Sequence, residues 1–260
     1  MKPFWKDSAS LAKKLSVPRL LLTLDFDGTL AALAETPGAA RLRPEFRAAL
    51  KRLAAAPGVS VFILSGRAMP EVRALVGLKS LYYGGNHGIE VRGPGFASRD
   101  ARAEKARVRL AAAAADILER FPPGTGVLVE NKVFSVSVHY RNILKAYRAG
   151  FFKRMKALAG SGTGRLRWKR GHKVFEAVPR SATDKGVAAL GLRLHLGNPL
   201  TLAVGDDLTD EDMFRALEGR GITVRVGRKA GSRAQYFLSR QTEVLRMLRF
   251  VLRARQRRSE

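Results

Sequence analysis

Short apolar runs alternate along this chain with longer segments in which apolar residues recur every three or four positions. Residues 20–24 read Leu-Leu-Leu-Thr-Leu, apolar on both faces, which predicts a strand buried inside a parallel sheet. Residues 44–56 place Phe46, Leu50 and Leu53 at helical spacing behind Pro44 and stop at Pro57-Gly58. A second strand is expected over 59–64, a helix over 70–76 and a third strand over 80–83. Strands and helices alternating at this spacing predict a Rossmann-like α/β domain, a parallel sheet with right-handed crossovers.

From about residue 99 the rhythm changes. An Ala- and Arg-rich helix is expected to run to Arg120 and end at Phe121-Pro122-Pro123-Gly124. Two alternating strands, 126–130 and 133–140, follow with only Asn131 and Lys132 between them, which is hairpin spacing. A helix over 144–158 is broken by the glycines of 160–164, and strands over 165–169 and 173–178 form a second hairpin around 170–172. Helix, two strands, helix, two strands predicts a small α+β unit inserted in the larger domain. After Pro179 the first pattern resumes: Thr183 is placed to cap a helix carrying Lys185, an apolar strand covers 200–204, a helix covers 211–218, and strands at 221–226 and 236–238 precede a C-terminal helix. The expected division is a core of 1–98 with 180–260 and an insert of 99–179.

Composition narrows the chemistry. The 260 residues contain no cysteine, which excludes disulfides, thiolate metal sites and cysteine nucleophiles. Any metal would be held by carboxylates or by the four histidines. The 48 basic against 22 acidic residues give a net charge of +26, which attracts polyanions and phosphorylated small molecules alike. Six arginines lie between Arg246 and Arg258, and they read either as a solvated helix face and tail or as a nucleic-acid arm. No run reaches the ~18 apolar residues of a spanning helix, and residues 1–10 lack a signal-peptide core, so a soluble cytoplasmic protein is expected.

Polar residues cluster where the predicted strands end. Asp25-Phe26-Asp27-Gly28-Thr29 follows the first strand, and on an extended segment the carboxylates at i and i+2 point the same way. Side by side they repel, and a hard divalent ion such as Mg2+ is the simplest partner, with an Asx-rich turn as the alternative. Ser65-Gly66-Arg67 ends the second strand, Asp184-Lys185-Gly186 opens a helix, and Gly205-Asp206-Asp207-Leu208-Thr209-Asp210 follows the apolar strand at 200–204. Parallel sheets bind ligands outside the carboxyl ends of their strands.

This ordered set resembles the haloacid dehalogenase-like phosphohydrolases across the chain apart from residues 94–180, where that superfamily commonly inserts a cap. The resemblance implies that Asp25 is the nucleophile. A carboxylate that takes a phosphoryl group splits one hydrolysis into two easier displacements. Asp27 would protonate the leaving alkoxide and then deprotonate water, a role that needs a raised pKa, which crowding by carboxylates can supply. Asp206 would complete a Mg2+ site with Asp25 and the backbone carbonyl of Asp27. Asp207 and Asp210 would orient metal-bound waters or the lysine. Ser65 and Lys185 would donate to the transferring phosphoryl oxygens.

A closer resemblance, to the trehalose-6-phosphate phosphatases, rests on Gly-Asn-His-Gly-Ile-Glu at 85–90, Val-Glu-Asn-Lys at 129–132, His-Tyr-Arg at 139–141 and Lys-Val-Phe-Glu at 173–176. It implies that His87, Glu130, Lys132, Lys173 and Glu176 hold a disaccharide, with Arg67 and Arg141 near it, and that the cap closes over the sugar. His139 alternates with Val136 and Val138 and reads as structural. The family's usual arginine after the second glutamate's strand is Val178 here, with Arg180 as the nearest replacement. The expectation is a Mg2+-dependent phosphatase acting on trehalose 6-phosphate through an aspartyl-phosphate. The alternatives are a phosphatase for sucrose or mannosylglycerate phosphates, and a nucleic-acid binder or end phosphatase motivated by the charge. Nucleic acid is not required by the motifs, and no membrane partner is expected.

Overall fold

The structure, a computed structural model, describes residues 1–34, 37–160, 166–171, 173–180 and 183–256. The chain divides into two compact units, Met1–Ser98 with Thr183–Glu260, and Arg99–Ala182. In chain order the strands are β1 (Lys2–Pro3), β2 (Leu20–Leu24), β3 (Val59–Leu64), β4 (Tyr82–Gly85), β5 (Glu90–Gly93), β6 (Phe96–Arg99), β7 (Leu128–Asn131), β8 (Val136–His139), β9 (Leu166–Arg170), β10 (Val174–Pro179), β11 (Leu200–Gly205), β12 (Gly221–Val226) and β13 (Tyr236–Leu238). The helices are α1 (Ser8–Leu15), α2 (Pro44–Ala55), α3 (Met69–Val76), α4 (Ala101–Glu104), α5 (Arg107–Arg120), α6 (Arg148–Gly160), α7 (Lys185–His195), α8 (Asp210–Ala216) and α9 (Thr242–Gln256).

The first unit is built on one sheet in the order β1-β13-β12-β11-β2-β3-β4-β5-β6. It is parallel from β1 to β4, and β5 turns back antiparallel on β4. All five residues of β2 are buried, as a central strand covered on both faces requires. Period-two alternation divides them. Leu20, Leu22 and Leu24 join Val61, Ile63, Leu202 and Val204 in a core shared with α1, α2, α3 and α9, whereas Leu21 joins Phe62, Leu64 and Ala203 against α7 and α8. From β2 the chain winds outward through β3 and β4, and from β11 it winds the other way through β12 and β13. The reversal between β2 and β11 is a topological switch point, where a crevice opens at the strand ends.

The second unit is a four-stranded antiparallel sheet, β7-β8-β10-β9. One face, with Val129, Val136, Val138, Phe175, Ala177 and Trp168, packs with Leu110, Ala114 and Ile117 of α5 and Phe151 and Met155 of α6.

Several local expectations need correction. Residues 90–99, to which the sequence pattern assigns no element, form the edge hairpin β5–β6; Glu90-Val91-Arg92-Gly93 is too charged to read as a strand. The expected helix over 99–120 is interrupted, giving α4 and α5, with the Asp100 side chain capping α4. The pair Asn131↔Val136 leaves 132–135 in the turn, so the hairpin loop has four residues, not two, and Val133 adopts φ 72° within it. Asp184, not Thr183, caps α7 by accepting from the Val187 N–H at 2.9 Å. In the C-terminal arginine run, Arg255 is buried and donates to the carbonyls of Leu15 and Pro57, so it is no solvated-face residue. Arg257, Arg258, His172, Arg165 and 161–164 lie outside the described residues. Among the described residues no helix is long and apolar enough to cross a membrane.

Candidate active site

Because β2 and β11 are neighbours in register, Leu24 opposite Val204, their next residues emerge side by side at the switch point. The Asp25 N–H donates to the Val204 carbonyl at 2.9 Å, which fixes Asp25 as the first residue past the strand. The chain then turns tightly, with the Gly28 N–H donating to the Ala31 carbonyl at 2.8 Å. Gly28 has φ +79°, and a Cβ there would lie 2.1 Å from Asp206 Oδ2, so two requirements exclude a side chain at this position. Thr29 Oγ1 donates to Asp206 Oδ1 at 3.1 Å and holds that carboxylate from the same turn.

Asp210, fully buried at the start of α8, binds in two directions. Its Oδ2 accepts the N–H groups of Asp206 and Asp207, each at 2.9 Å, and its Oδ1 accepts Lys185 Nζ at 2.7 Å. Lys185, 2% exposed in the first turn of α7, also donates to Asp25 Oδ1 at 2.7 Å. Asp25, Asp206 and Asp210 bring carboxylate oxygens within 4.8 Å of one another. One ammonium faces three carboxylates. Burial raises the Asp25 pKa well above the carboxylate range, and Asp210 and Asp206 add to this against the lowering effect of Lys185. Burial and the Asp210 charge push Asp206 up to about 7. Lys185 is held above the usual lysine value, since Asp210 and Asp25 outweigh the burial that would lower it.

Hard oxygen donors short of positive charge suit a divalent cation. Both oxygens of Asp210 are already engaged, so Asp25 and Asp206 are the carboxylates best placed to hold it, with Asp210 behind them.

Around this centre the ends of β3 and β4 contribute Ser65, Arg67 and His87. Ser65 is buried and its Oγ accepts the Arg67 N–H at 3.1 Å. Arg67 donates from Nε and Nη2 to the two oxygens of Asp27, both at 2.7 Å, pairs with Glu71 and lies over the Phe26 ring at 5.5 Å. The crowding by carboxylates expected at Asp27 therefore falls on Asp25 and Asp206, while Asp27 faces an arginine. The His87 backbone, at φ 60°, donates to the Ser65 carbonyl at 2.9 Å, and its ring packs so close that a Cβ on Gly66 would lie 2.6 Å from it. Asp207 is exposed on the loop after β11.

In the second unit, cross-strand register aligns Glu130, Ser137 and Glu176 on the sheet face away from the helices. Lys132 Nζ lies 4.0 Å from Glu130 and 3.9 Å from Glu176, and Ser137 Oγ donates to Glu176 Oε1 at 3.4 Å. His139 shares this face, and its Nε2 donates to Glu130 Oε2 at 2.9 Å, so it belongs to the polar cluster rather than the core. Arg141 and Lys173 are exposed, in the turns after β8 and before β10. Val178 is buried, and Arg180 is exposed just past β10.

Thr29, Ser137, His139 and Arg225 are polar groups of these clusters that sequence reasoning did not assign to them. The alternation of Ser137 and His139 with Val136 and Val138 put the two on one face of their strand, and only the pairing with β7 and β10 sets them beside Glu130 and Glu176. Thr29 and Arg225 offered none, because each acts on a loop remote in sequence.

A sequence profile of the trehalose-phosphatase family matches residues 23–242. A trehalose-phosphate phosphatase of Mycobacterium ulcerans is 38% identical over 218 residues, covering 82% of this chain and 55% of the relative, so the chain spans about half the length of that curated relative. The C-terminal domain of the C. albicans trehalose-6-phosphate phosphatase superposes with a TM-score of 0.80 at 23% identity, covering 95% of this chain and 97% of that one. A haloacid dehalogenase-like hydrolase of B. subtilis superposes with a TM-score of 0.57 at 20% identity, covering 88% of this chain and 98% of that one, and so shares the fold. On the match over residues 23–242 and the identity to the mycobacterial enzyme, the chain belongs to the trehalose-phosphatase family.

Proposed function

We propose that this chain hydrolyses trehalose 6-phosphate to trehalose and phosphate, using Mg2+, with residues 1–98 and 180–260 as the catalytic core and 99–179 as a cap that recognises the sugar. The observation that carries the reading is the convergence of Asp25, Asp206 and Asp210 with Lys185 at the switch point of the sheet.

Asp25 attacks phosphorus, and the ester oxygen leaves as the sugar hydroxyl while an aspartyl-phosphate forms on Asp25. Water then attacks that acyl phosphate, releasing phosphate and regenerating the carboxylate. Asp27 gives the departing oxygen its proton and takes one from the incoming water. Lys185 and Ser65 supply donors to the phosphoryl oxygens, and Lys185 also holds Asp25 in place. Asp25, Asp206 and the Asp27 carbonyl would hold a Mg2+ ion, which when bound would supply positive charge to offset that of the phosphoryl group. Asp207 and Asp210 support that site. Glu130, Lys132, Glu176, Arg141 and Lys173, with Arg67 and His87, recognise the disaccharide. Sugar hydroxyls reward carboxylates that accept and ammonium groups that donate, and Lys132 set between Glu130 and Glu176 offers both.

The test is phosphate release from equal concentrations of trehalose 6-phosphate, glucose 6-phosphate, sucrose 6-phosphate, mannosylglycerate phosphate and a 5′-phosphorylated oligonucleotide. Trehalose 6-phosphate should lead glucose 6-phosphate by about 100-fold in kcat/KM, the scale of two lost sugar hydrogen bonds. Equal values would reject the substrate, and a lead by the oligonucleotide would reject the class.

A further inference from the structure

The peptide unit joining Asp206 to Asp207 is gripped on both edges by ionised side chains of opposite sign. On one edge the Asp207 N–H donates to Asp210 Oδ2 at 2.9 Å. On the other the Asp206 carbonyl accepts from Arg225 Nη2. Arg225 Nη1 reaches the next carbonyl, that of Asp207, at 3.1 Å. A peptide is planar, so fixing its N–H and its C=O together fixes the plane and forbids the flip that would swing the preceding side chain away.

Arg225 is an unusual residue to find there. It lies on β12, 7% exposed, among strand residues Ile222, Val224 and Val226 that are all buried. Its Nη1 also donates to Glu211 Oε1 at 2.9 Å, and Glu211 Oε2 accepts the Arg233 N–H at 2.8 Å, so β12, α8 and the segment before β13 are joined through the Arg225–Glu211 pair. Its Nε is buried without a hydrogen-bond partner among the described residues. A buried arginine with one donor unmet serves stability no better than an apolar residue would. What it does that an apolar residue cannot is hold two carbonyls on the loop that presents Asp206.

We infer that Arg225 is a positioning residue for the divalent-cation site, with Glu211 fixing the guanidinium; this rests on the reading that Asp25 and Asp206 hold the ion. It touches neither substrate nor metal and acts by keeping the Asp206 carboxylate aimed toward Asp25.

The experiment is calorimetric titration of Mg2+ into the full chain without substrate, for wild type, Arg225→Met, Arg225→Lys and Glu211→Gln, with thermal unfolding in chelator and KM for trehalose 6-phosphate at saturating Mg2+ measured alongside. Arg225→Met should weaken Mg2+ binding by about 10- to 100-fold, the usual cost of losing an outer support of a metal site. Arg225→Lys should recover part of that loss, Glu211→Gln should weaken binding about threefold or more by freeing the guanidinium, and KM should stay within a factor of two. Unchanged Mg2+ affinity in folded Arg225→Met overturns the inference. If that variant does not fold, unchanged affinity in Glu211→Gln overturns it. Absence of Mg2+ binding by wild type would instead sink the metal-site reading beneath it, and the inference with it.

Discussion

Lys185 Nζ sits 2.7 Å from Asp25 Oδ1 although 160 positions separate the two residues. The contact joins the strand that opens the core to the helix that resumes it after the insert. It also sets the charge balance of the site, since this one ammonium is shared between Asp25 and Asp210 while Asp206 stands beside them. Two negative charges in excess in a buried place are what a divalent cation would offset, and the raised pKa values of Asp25 and Asp206 express the same deficit.

Removing that ammonium should cost stability. Lys185→Met leaves two buried carboxylates without their partner, a loss of about 3–5 kcal/mol. Thermal unfolding in chelator should show the drop, and Mg2+ should raise the variant's Tm by more than it raises that of wild type. A variant as stable as wild type in chelator would mean that the pairing carries no weight.

Gly28→Ala should disturb both the turn and the metal site. The added Cβ would meet Asp206 Oδ2 at 2.1 Å and would sit on a backbone at φ +79°. We expect a loss of about 1–3 kcal/mol and at least about a 10-fold fall in kcat, read by unfolding and by phosphate release at saturating Mg2+. Full activity would show that Asp206 has room to move without consequence.

Recognition and chemistry should separate by substrate. Glu130→Gln and Glu176→Gln should each raise KM for trehalose 6-phosphate by about 10- to 100-fold, as for hydrogen bonds to a charged group. Hydrolysis of p-nitrophenyl phosphate, which has no sugar to hold, should be unaffected. Parallel losses on both substrates would assign the two glutamates to the fold instead.

The second unit carries a pH-dependent tie of its own. Asp116 on α5 accepts from Arg154 on α6 at 2.6 and 3.0 Å and from Arg120 at 3.2 Å. Partial burial would raise its pKa, but the two arginines outweigh it and hold it below the ordinary value of 3.8. The folded carboxylate binds a proton less readily than the unfolded one, so its stabilisation is complete above the unfolded value and is lost as pH falls through the lowered folded value. Asp116→Asn should be less stable by about 0.5–1 kcal/mol at pH 7, the scale of a solvent-screened pair. Denaturant unfolding should show the two proteins converging as pH drops below that window, and a constant difference at all pH values would count against the pairing.

Much of the site is legible because its parts are local. Asp25, Asp27 and Gly28 follow a run so apolar that its burial is certain, and Asp206 and Asp210 follow another. The alternating order then puts both runs in one parallel sheet. The Glu130 and Glu176 strands are legible for a similar reason, since each alternates across a half-buried sheet. What the sequence hides is the long-range part. Arg225 reads as one more cation in a chain of net charge +26. His139 alternates with valines whichever face it occupies, and only strand pairing puts it beside Glu130. The hairpin β5–β6 is hidden because an edge strand needs little apolar character.

Phosphate release from trehalose 6-phosphate by chelator-stripped protein, before and after Mg2+ is restored, tests most directly whether Asp25 and Asp206 share one cation around a reacting ester. Wild type should be nearly inert when stripped and active with Mg2+, and Asp25→Asn should be folded yet at least about 1,000-fold slower than wild type once Mg2+ is restored. Undiminished release after chelation, or substantial turnover by Asp25→Asn, would contradict it.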